Sequence, residues 1–313
     1  MTESAEEKLN KLLKSGKITT EEYEELKSLI SEDEEGDKYN EIRSVEVELV
    51  SNDVEIIGWG ENFVKISEGP DQLIIEKFGD RVKIGSKKRG FSLMDFGSYA
   101  RNPVKVSILV PDSCSIKART VTGDLKIKKV FANMELKTVN GDLVVEDVSG
   151  DVKLSTVSGD LRFKGCRGSI SGEAKLGDII LDRCDAKFSL KTYSGNIFIE
   201  DSELSGGNIT LYSGDFTLKS SVLKGDVTVE STLGDINCQN IKGSFKLSAE
   251  TKFGKIELSN LDSSYLVENK FVVYKNGRIM EKSKLPLGSR VIKEPGDFIL
   301  TLKTKKGDIF LEI

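Results

Sequence analysis

Seven side chains stand in register along the middle of this chain. Asp124, Asp142, Asp160, Asp178, Asn196, Asp215 and Asp235 each follow a glycine directly and recur every 18 to 20 residues. Two chemistries suit such a column. Stacked carboxylates could share a ladder of calcium ions, and paired carboxylates could act as acid and base on a glycosidic bond. The calcium-binding β-roll pattern, G-G-x-G-x-D-x-U-x, needs paired glycines, whereas at these corners a single glycine precedes each Asp directly. A glycosidase needs two acids placed uniquely in one cleft, whereas these recur on a grid. The column therefore reads as corner capping, with each Asp or Asn oxygen accepting from backbone N–H groups. No metal, cofactor or catalytic residue is expected. A carbohydrate-active solenoid enzyme is kept only as an alternative.

The rest of the composition points the same way. The chain has no histidine, which removes Ser-His-Asp and Cys-His nucleophile systems and imidazole metal ligands. Cys114, Cys166, Cys184 and Cys238 form no CxxC pair, which argues against a zinc site. Cys166 and Cys184 lie 18 residues apart, so they stack on adjacent repeats. They read as small core residues, with a disulfide as the sharper alternative.

The elements that position these residues follow from the repeat. Gly123, Gly141, Gly159, Gly177 and Gly195 are spaced by 18, and half-way glycines such as Gly150, Gly168 and Gly225 divide the unit into halves of about nine residues. After each Gly-Asp, apolar residues alternate with polar ones, as in Leu143, Val145, Val152 and Leu154. Period two means strand. Constant register over so many repeats calls for stacked parallel coils, not a series of hairpins. The fold class is mainly β, a single-stranded parallel β-solenoid (β-helix) of about 18–20 residues per turn. An inward column is expected to contain Val130, Val148, Cys166, Cys184, Ile241 and Leu261.

Residues 42–313 form this solenoid, with irregular coils first, regular Gly-Asp coils over 118–261 and a C-terminal cap over 262–313. Within the cap, Tyr274-Lys275-Asn276-Gly277-Arg278 reads as a hairpin turn. Residues 1–30 contain a short α-helical hairpin. Leu9, Leu12 and Leu13, then Tyr23, Leu26, Leu29 and Ile30, recur at helical spacing around Gly16, and Thr19 with Glu22 has capping-box spacing. Residues 31–41 are an acidic linker. Residues 1–41 carry 13 acids and 6 bases, a net −7, so a chain of total charge −5 leaves +2 for the remaining 272 residues. Neither part has the basic excess of a nucleic-acid binder. A hairpin this small packs on a protein partner or on its own copy.

One connection stands apart. Lys87, Lys88 and Arg89 precede Phe91, Leu93, Met94, Phe96 and Tyr99 between two strand-like runs. A basic triplet beside exposed aromatics suits a partner or membrane surface, and the same side chains could instead fold over an open solenoid end as a lid. The sequence contains no run of 18 apolar residues and its start is acidic, so the expected location is the cytoplasm, with a peripheral place at the inner face of the membrane as the variant.

Two resemblances attach to these residues. Leu12-Leu13-Lys14-Ser15-Gly16-Lys17-Ile18-Thr19-Thr20-Glu21-Glu22-Tyr23 resembles the SHOCT-like short helical domain. Val110-Pro111, Thr122-Gly123-Asp124-Leu125, Val139-Asn140-Gly141-Asp142-Leu143 and Val157-Ser158-Gly159-Asp160-Leu161 resemble the adhesin-type β-strand-repeat family, domain of unknown function 4097. That resemblance implies a right-handed β-solenoid, supplies no catalytic residues and, through some relatives, implies a link to cell-envelope stress. The expected function is a non-enzymatic interaction scaffold whose hairpin mediates oligomerisation or docking. The alternative is an envelope-stress protein that contacts the membrane, or a membrane partner, through residues 87–99.

Overall fold

The alternation of apolar and polar residues after each Gly-Asp produces strands with one buried and one solvated face. In Asp185–Ser194 every second residue from Ala186 to Thr192 is buried while its neighbours are exposed. A computed structural model describes residues 19, 23, 42–69, 73–86, 104–260, 270–275, 278–283, 299–307 and 309–311. Its strands form two sheets of sixteen and twelve strands, and their inward faces share one apolar core. From Ser115 to Ser259 successive coils pair in parallel, and in the smaller sheet the register is constant: Leu125, Leu143, Leu161, Ile179, Ile197, Phe216, Ile236 and Ile256 follow one another up the stack, while the larger sheet shifts register once, between Ala186 and Phe188.

The two halves of a coil are unequal. In the larger sheet Ser149–Ser158 and Arg167–Leu176 run ten residues, whereas Leu143–Glu146 and Leu161–Lys164 opposite them run four. The nine-residue halves read from sequence therefore do not each end in a corner. Gly150 and Gly168 lie inside the long strands, where the chain bends close over the preceding coil. The true second corner comes six residues after each Gly-Asp glycine. Lys129, Asp147, Arg183, Asp201, Ser220, Asn240 and Asn260 all have φ between 48° and 55° there, and Gly165 has 62°. A side chain in this left-handed region costs about 1–2 kcal/mol, which glycine avoids at a smaller entropic cost. Lys129 is exposed, so Lys129→Gly should raise stability by up to about 1 kcal/mol, measured as the urea midpoint.

The first coil is not at the end of the stack. Ser44–Glu48 pairs with Ser115–Arg119 on one side and Arg81–Ser86 on the other, and Asn52–Trp59 lies between Val104–Pro111 and Leu125–Lys128. The chain builds one coil, adds a second outside it, then crosses back to continue on the inner side. That outer coil carries the antiparallel strands Leu73–Phe78 and Lys65–Glu68. At the other end, Lys270–Lys275 and Arg278–Ser283 form an antiparallel hairpin, and Ile299–Lys306 lies in parallel between Lys246–Phe253 and Lys270–Lys275. Antiparallel pairs at both ends of the larger sheet interrupt the parallel template that would invite further strands.

The inward column contains two polar members that apolar periodicity passes over. Ser202 and Ser221 follow Cys184 and precede Ile241, all buried. Their hydroxyls accept from the backbone of the preceding coil: Cys184 N–H donates to Ser202 Oγ at 3.0 Å, and Ser202 N–H to Ser221 Oγ at 3.2 Å. Leu261 lies outside the described residues.

Candidate functional site

The aspartate column forms a chain of hydrogen bonds between coils. Asp142 N–H donates to Asp124 Oδ1 at 2.8 Å, Asp160 N–H to Asp142 Oδ1 at 2.8 Å, and Asp178 N–H to Asp160 Oδ1 at 2.9 Å. The chain continues through Asn196, Asp215 and Asp235 to the N–H of Lys255, and it begins at Asp53. One oxygen of each residue is thus committed to the coil that follows. Asn196 supplies the same carbonyl-type oxygen without a charge. Arg162 binds the second oxygens of Asp142 and Asp160, at 2.8 and 2.7 Å, and relieves repulsion in the middle of the column. No cluster of three or more ligating side chains suited to a metal occurs among the described residues. Asp160→Ala should cost about 1–2 kcal/mol, because the Asp178 N–H and Arg162 lose a partner, whereas Asp160→Asn should lose less than half of that. Denaturant midpoints compare the two.

All four cysteines are buried and free. Burial pushes the Cys114 and Cys238 thiols up to about 12, and a hydrogen bond to Cys184 together with burial pushes the Cys166 thiol up. Cys114, Cys166 and Cys238, held protonated in an apolar core, are poor nucleophiles. They fill space.

The surface holds an arrangement that the sequence reading missed. On the outer face of the larger sheet, the last one or two residues before the glycine corner are apolar in coil after coil. Val50, Val121, Val139, Val157, Leu176, Tyr193, Tyr212, Leu233 and Phe253 are each between 38% and 56% exposed. The pairing registers place Val50, Val121, Val139, Val157, Tyr193 and Tyr212 in one column, with Lys175, Thr232 and Lys252 in its other coils, and Leu176, Leu233 and Phe253 in the adjacent column one residue nearer the glycine. Tyr193 and Tyr212 stack at 5.7 Å. A shallow depression of about 400 Å³ opens at one end of the row, beside Leu49, Val121 and Val139. Alternation had assigned apolar residues to the core, yet Val139 and Val157 sit two before their glycines, in phase with the outward side. That phase is the signal that could have found them. The remainder of this face is polar, with Ser155, Ser171, Ser189, Asn208, Thr210 and Thr228 across its centre.

Lys87, Lys88, Arg89, Phe91, Leu93, Met94, Phe96 and Tyr99 lie outside the described residues, as does the segment 6–30 expected to form a helical hairpin, apart from Thr19 and Tyr23. Tyr23 N–H donates to Thr19 O at 2.9 Å, an i→i−4 bond, and Tyr23 is buried. No helix among the described residues is long and apolar enough to cross a membrane.

A stack of coils whose corner Asp and Asn oxygens bond its own backbone, with a rim of exposed apolar side chains, defines a solenoid scaffold. The chain belongs to the Toastrack DUF4097 family, whose model matches residues 42–272. No curated protein matches the chain. Among solved structures it is similar to a "Putative lipid binding protein from Parabacteroides distasonis ATCC 8503", at 15% identity and a TM-score of 0.41, covering 86% of this chain and 94% of that one. It is also similar to a "putative cell adhesion protein from Clostridium sporogenes ATCC 15579", at 11% identity and a TM-score of 0.20, covering 88% and 93%.

Proposed function

We propose that this protein is a non-catalytic binding scaffold. Its rigid outer face and apolar rim hold a macromolecular partner, and the helical hairpin over residues 6–30 serves oligomerisation or docking. The observation that carries the reading is the rim of exposed apolar side chains from Val50 to Phe253, one in each coil along the outer face of the larger sheet. Exposed apolar surface of this length is costly to keep in water unless something covers it. Tyr193→Ser with Tyr212→Ser removes the middle of the row without touching the core. Loss of chemically cross-linked species, with an unchanged melting temperature, supports the reading, and an unchanged set of species sinks it. Leu12→Asp with Leu13→Asp in the full chain addresses the hairpin separately, through the mass of the assembly.

A second reading rests on the segment between strands Arg81–Ser86 and Val104–Pro111. Its basic triplet and five apolar side chains suit an anionic membrane surface. Flotation with anionic liposomes at low salt, lost in Phe91→Ser with Phe96→Ser, tests it.

A further inference from the structure

The outward column next to the apolar rim has an ordered charge pattern. Inward of the two outermost strands at each end of the larger sheet, strand pairing places Glu48, Arg119, Lys137, Ser155 and Glu173 in successive coils. It continues through Lys191, Thr210, Glu230, Glu250 and Lys303. Read from the two ends inward, every charge meets its opposite. Glu48 corresponds to Lys303, Arg119 to Glu250, Lys137 to Glu230, and Glu173 to Lys191, while the uncharged Ser155 corresponds to Thr210. The centre of inversion falls between strands Arg167–Leu176 and Asp185–Ser194. That gap is also the midpoint of the fourteen-strand path of the larger sheet, with seven strands on either side.

We propose that this face is a two-fold interface with a second copy of the same chain, the two stacks antiparallel. The proposal rests on the scaffold reading above and names the occupant of its face. A two-fold axis along the strand direction, level with the central gap, turns one stack end over end onto the other. Each column then meets itself in reverse, which is the geometry of an isologous contact. The four charged pairs become attractive contacts between copies. A parallel arrangement would set Arg119 on Arg119 and Glu230 on Glu230, and repulsion excludes it.

The neighbouring columns agree. Along the rim column that contains Val157 and Tyr193, the same operation lays Val157 on Tyr212, Lys175 on Tyr193, Val139 on Thr232 and Val121 on Lys252, with no like charges together. One column further in, it lays Lys117 on Ser248, Glu135 on Thr228 and Lys153 on Asn208, with no like charges together. Some of these residues hold ion pairs within the chain, such as Lys191 with Glu173 at 3.8 Å and Lys303 with Glu250 at 2.8 Å, and Lys137 pairs with Glu135. Exposed pairs of this kind contribute little and exchange partners readily. The size also fits. Ten strands at about 4.8 Å, over about 20 Å of strand, make a face on the order of 1,000 Å² per copy, against about 800 Å² in a standard specific interface.

The test uses charge inversion in the full-length protein. Lys137 and Glu230 lie five coils apart in one chain, about 24 Å, so they meet only between copies. Lys137→Glu alone and Glu230→Lys alone should each weaken association on the order of a hundredfold and halve the mass measured by light scattering. Mixing the two variants in equal amounts should restore the wild-type mass, because each copy then offers the charge that the other lacks. Melting temperatures of the single variants confirm that the fold is intact. A wild-type protein that runs as a single copy overturns the proposal, as do single variants that keep the wild-type mass. A mixture that stays dissociated overturns this assignment of pairs. If the face instead serves a different protein, the wild type is a single copy while the tyrosine variants still lose their cross-linked species, which separates failure here from failure of the scaffold reading.

Discussion

Replacement of Gly159 by alanine should destabilise the protein by roughly 3–5 kcal/mol, one of the largest effects of any single methyl group in this chain. Two independent terms act together. Gly159 has φ 140°, where an L side chain is strained, and its added Cβ would lie 2.0 Å from the carbonyl oxygen of Gly141 in the preceding coil. That oxygen is not a flexible side-chain end that could move aside. It belongs to the stacked backbone, and the same contact recurs at Gly177 and Gly195, each with its Cβ position 2.0 Å from the glycine carbonyl before it. The glycine column is thus a condition of the coil spacing itself: at about 4.8 Å between coils no Cβ fits. In a stack, each coil is held mainly by its two neighbours, so a break in the middle separates two blocks. Urea unfolding should therefore show a lower midpoint and a broader transition for Gly159→Ala. Ser158→Ala, an exposed neighbour, should change stability by less than about 0.5 kcal/mol. Equal effects of the two substitutions would contradict the stacking account.

What the sequence disclosed, and what it hid, follows the same physics. A position at which only one residue type fits is visible without a structure. The 18-residue spacing of Gly141, Gly159, Gly177 and Gly195 revealed the parallel stack because the backbone contact there admits nothing else. The second corner stayed hidden because a left-handed residue costs only about 1–2 kcal/mol, which the surrounding stack absorbs. Lys129, Asp147, Arg183 and Ser220 all occupy it, so no residue type marks the position. Ser202 and Ser221 were passed over for a related reason. Their bonds to the backbone satisfy them in a column that otherwise contains Val148, Cys166 and Ile241, and hydropathy does not register such a bond. The placement of Ser44–Glu48 inside the stack depends on where a returning chain crosses, a long-range choice that no local pattern encodes. The surface columns are legible only after register is known. Lys137 and Glu230 are 93 residues apart in sequence, and their correspondence appears once the coils are counted from both ends.

Phe163→Ala should cost about 3–5 kcal/mol, and part of that loss should be recoverable by filling a different position. Phe163 is 1% exposed and stands in the column Val145, Phe163, Leu181 of the smaller sheet. The facing column of the larger sheet reads Leu136, Leu154, Gly172, Leu190. One coil has therefore exchanged volume between its two sheets. Where its neighbours place leucine it has no side chain, and a phenylalanine reaches across from the opposite strand. The ideal Cβ at Gly172 would lie 3.3 Å from Phe163 Cε2, and 3.3 Å from Leu161 Cδ1 and Leu190 Cδ2, so the ring occupies the space that a leucine would need. Gly172 has no positive φ, and backbone strain does not explain it. Gly172→Leu alone should overpack the site and cost about 1–3 kcal/mol. In the Phe163→Ala background the same leucine enters the vacated volume, as leucine does in the coils on either side, and should return about 1–2 kcal/mol. The sign of the Gly172→Leu effect thus reverses with the residue at 163, a coupling on the order of 2–5 kcal/mol in a double-mutant cycle. Additive effects would mean that the glycine serves the backbone and not the ring. A reversal would show that this solenoid tolerates a large residue wherever the facing strand of the same coil yields the volume.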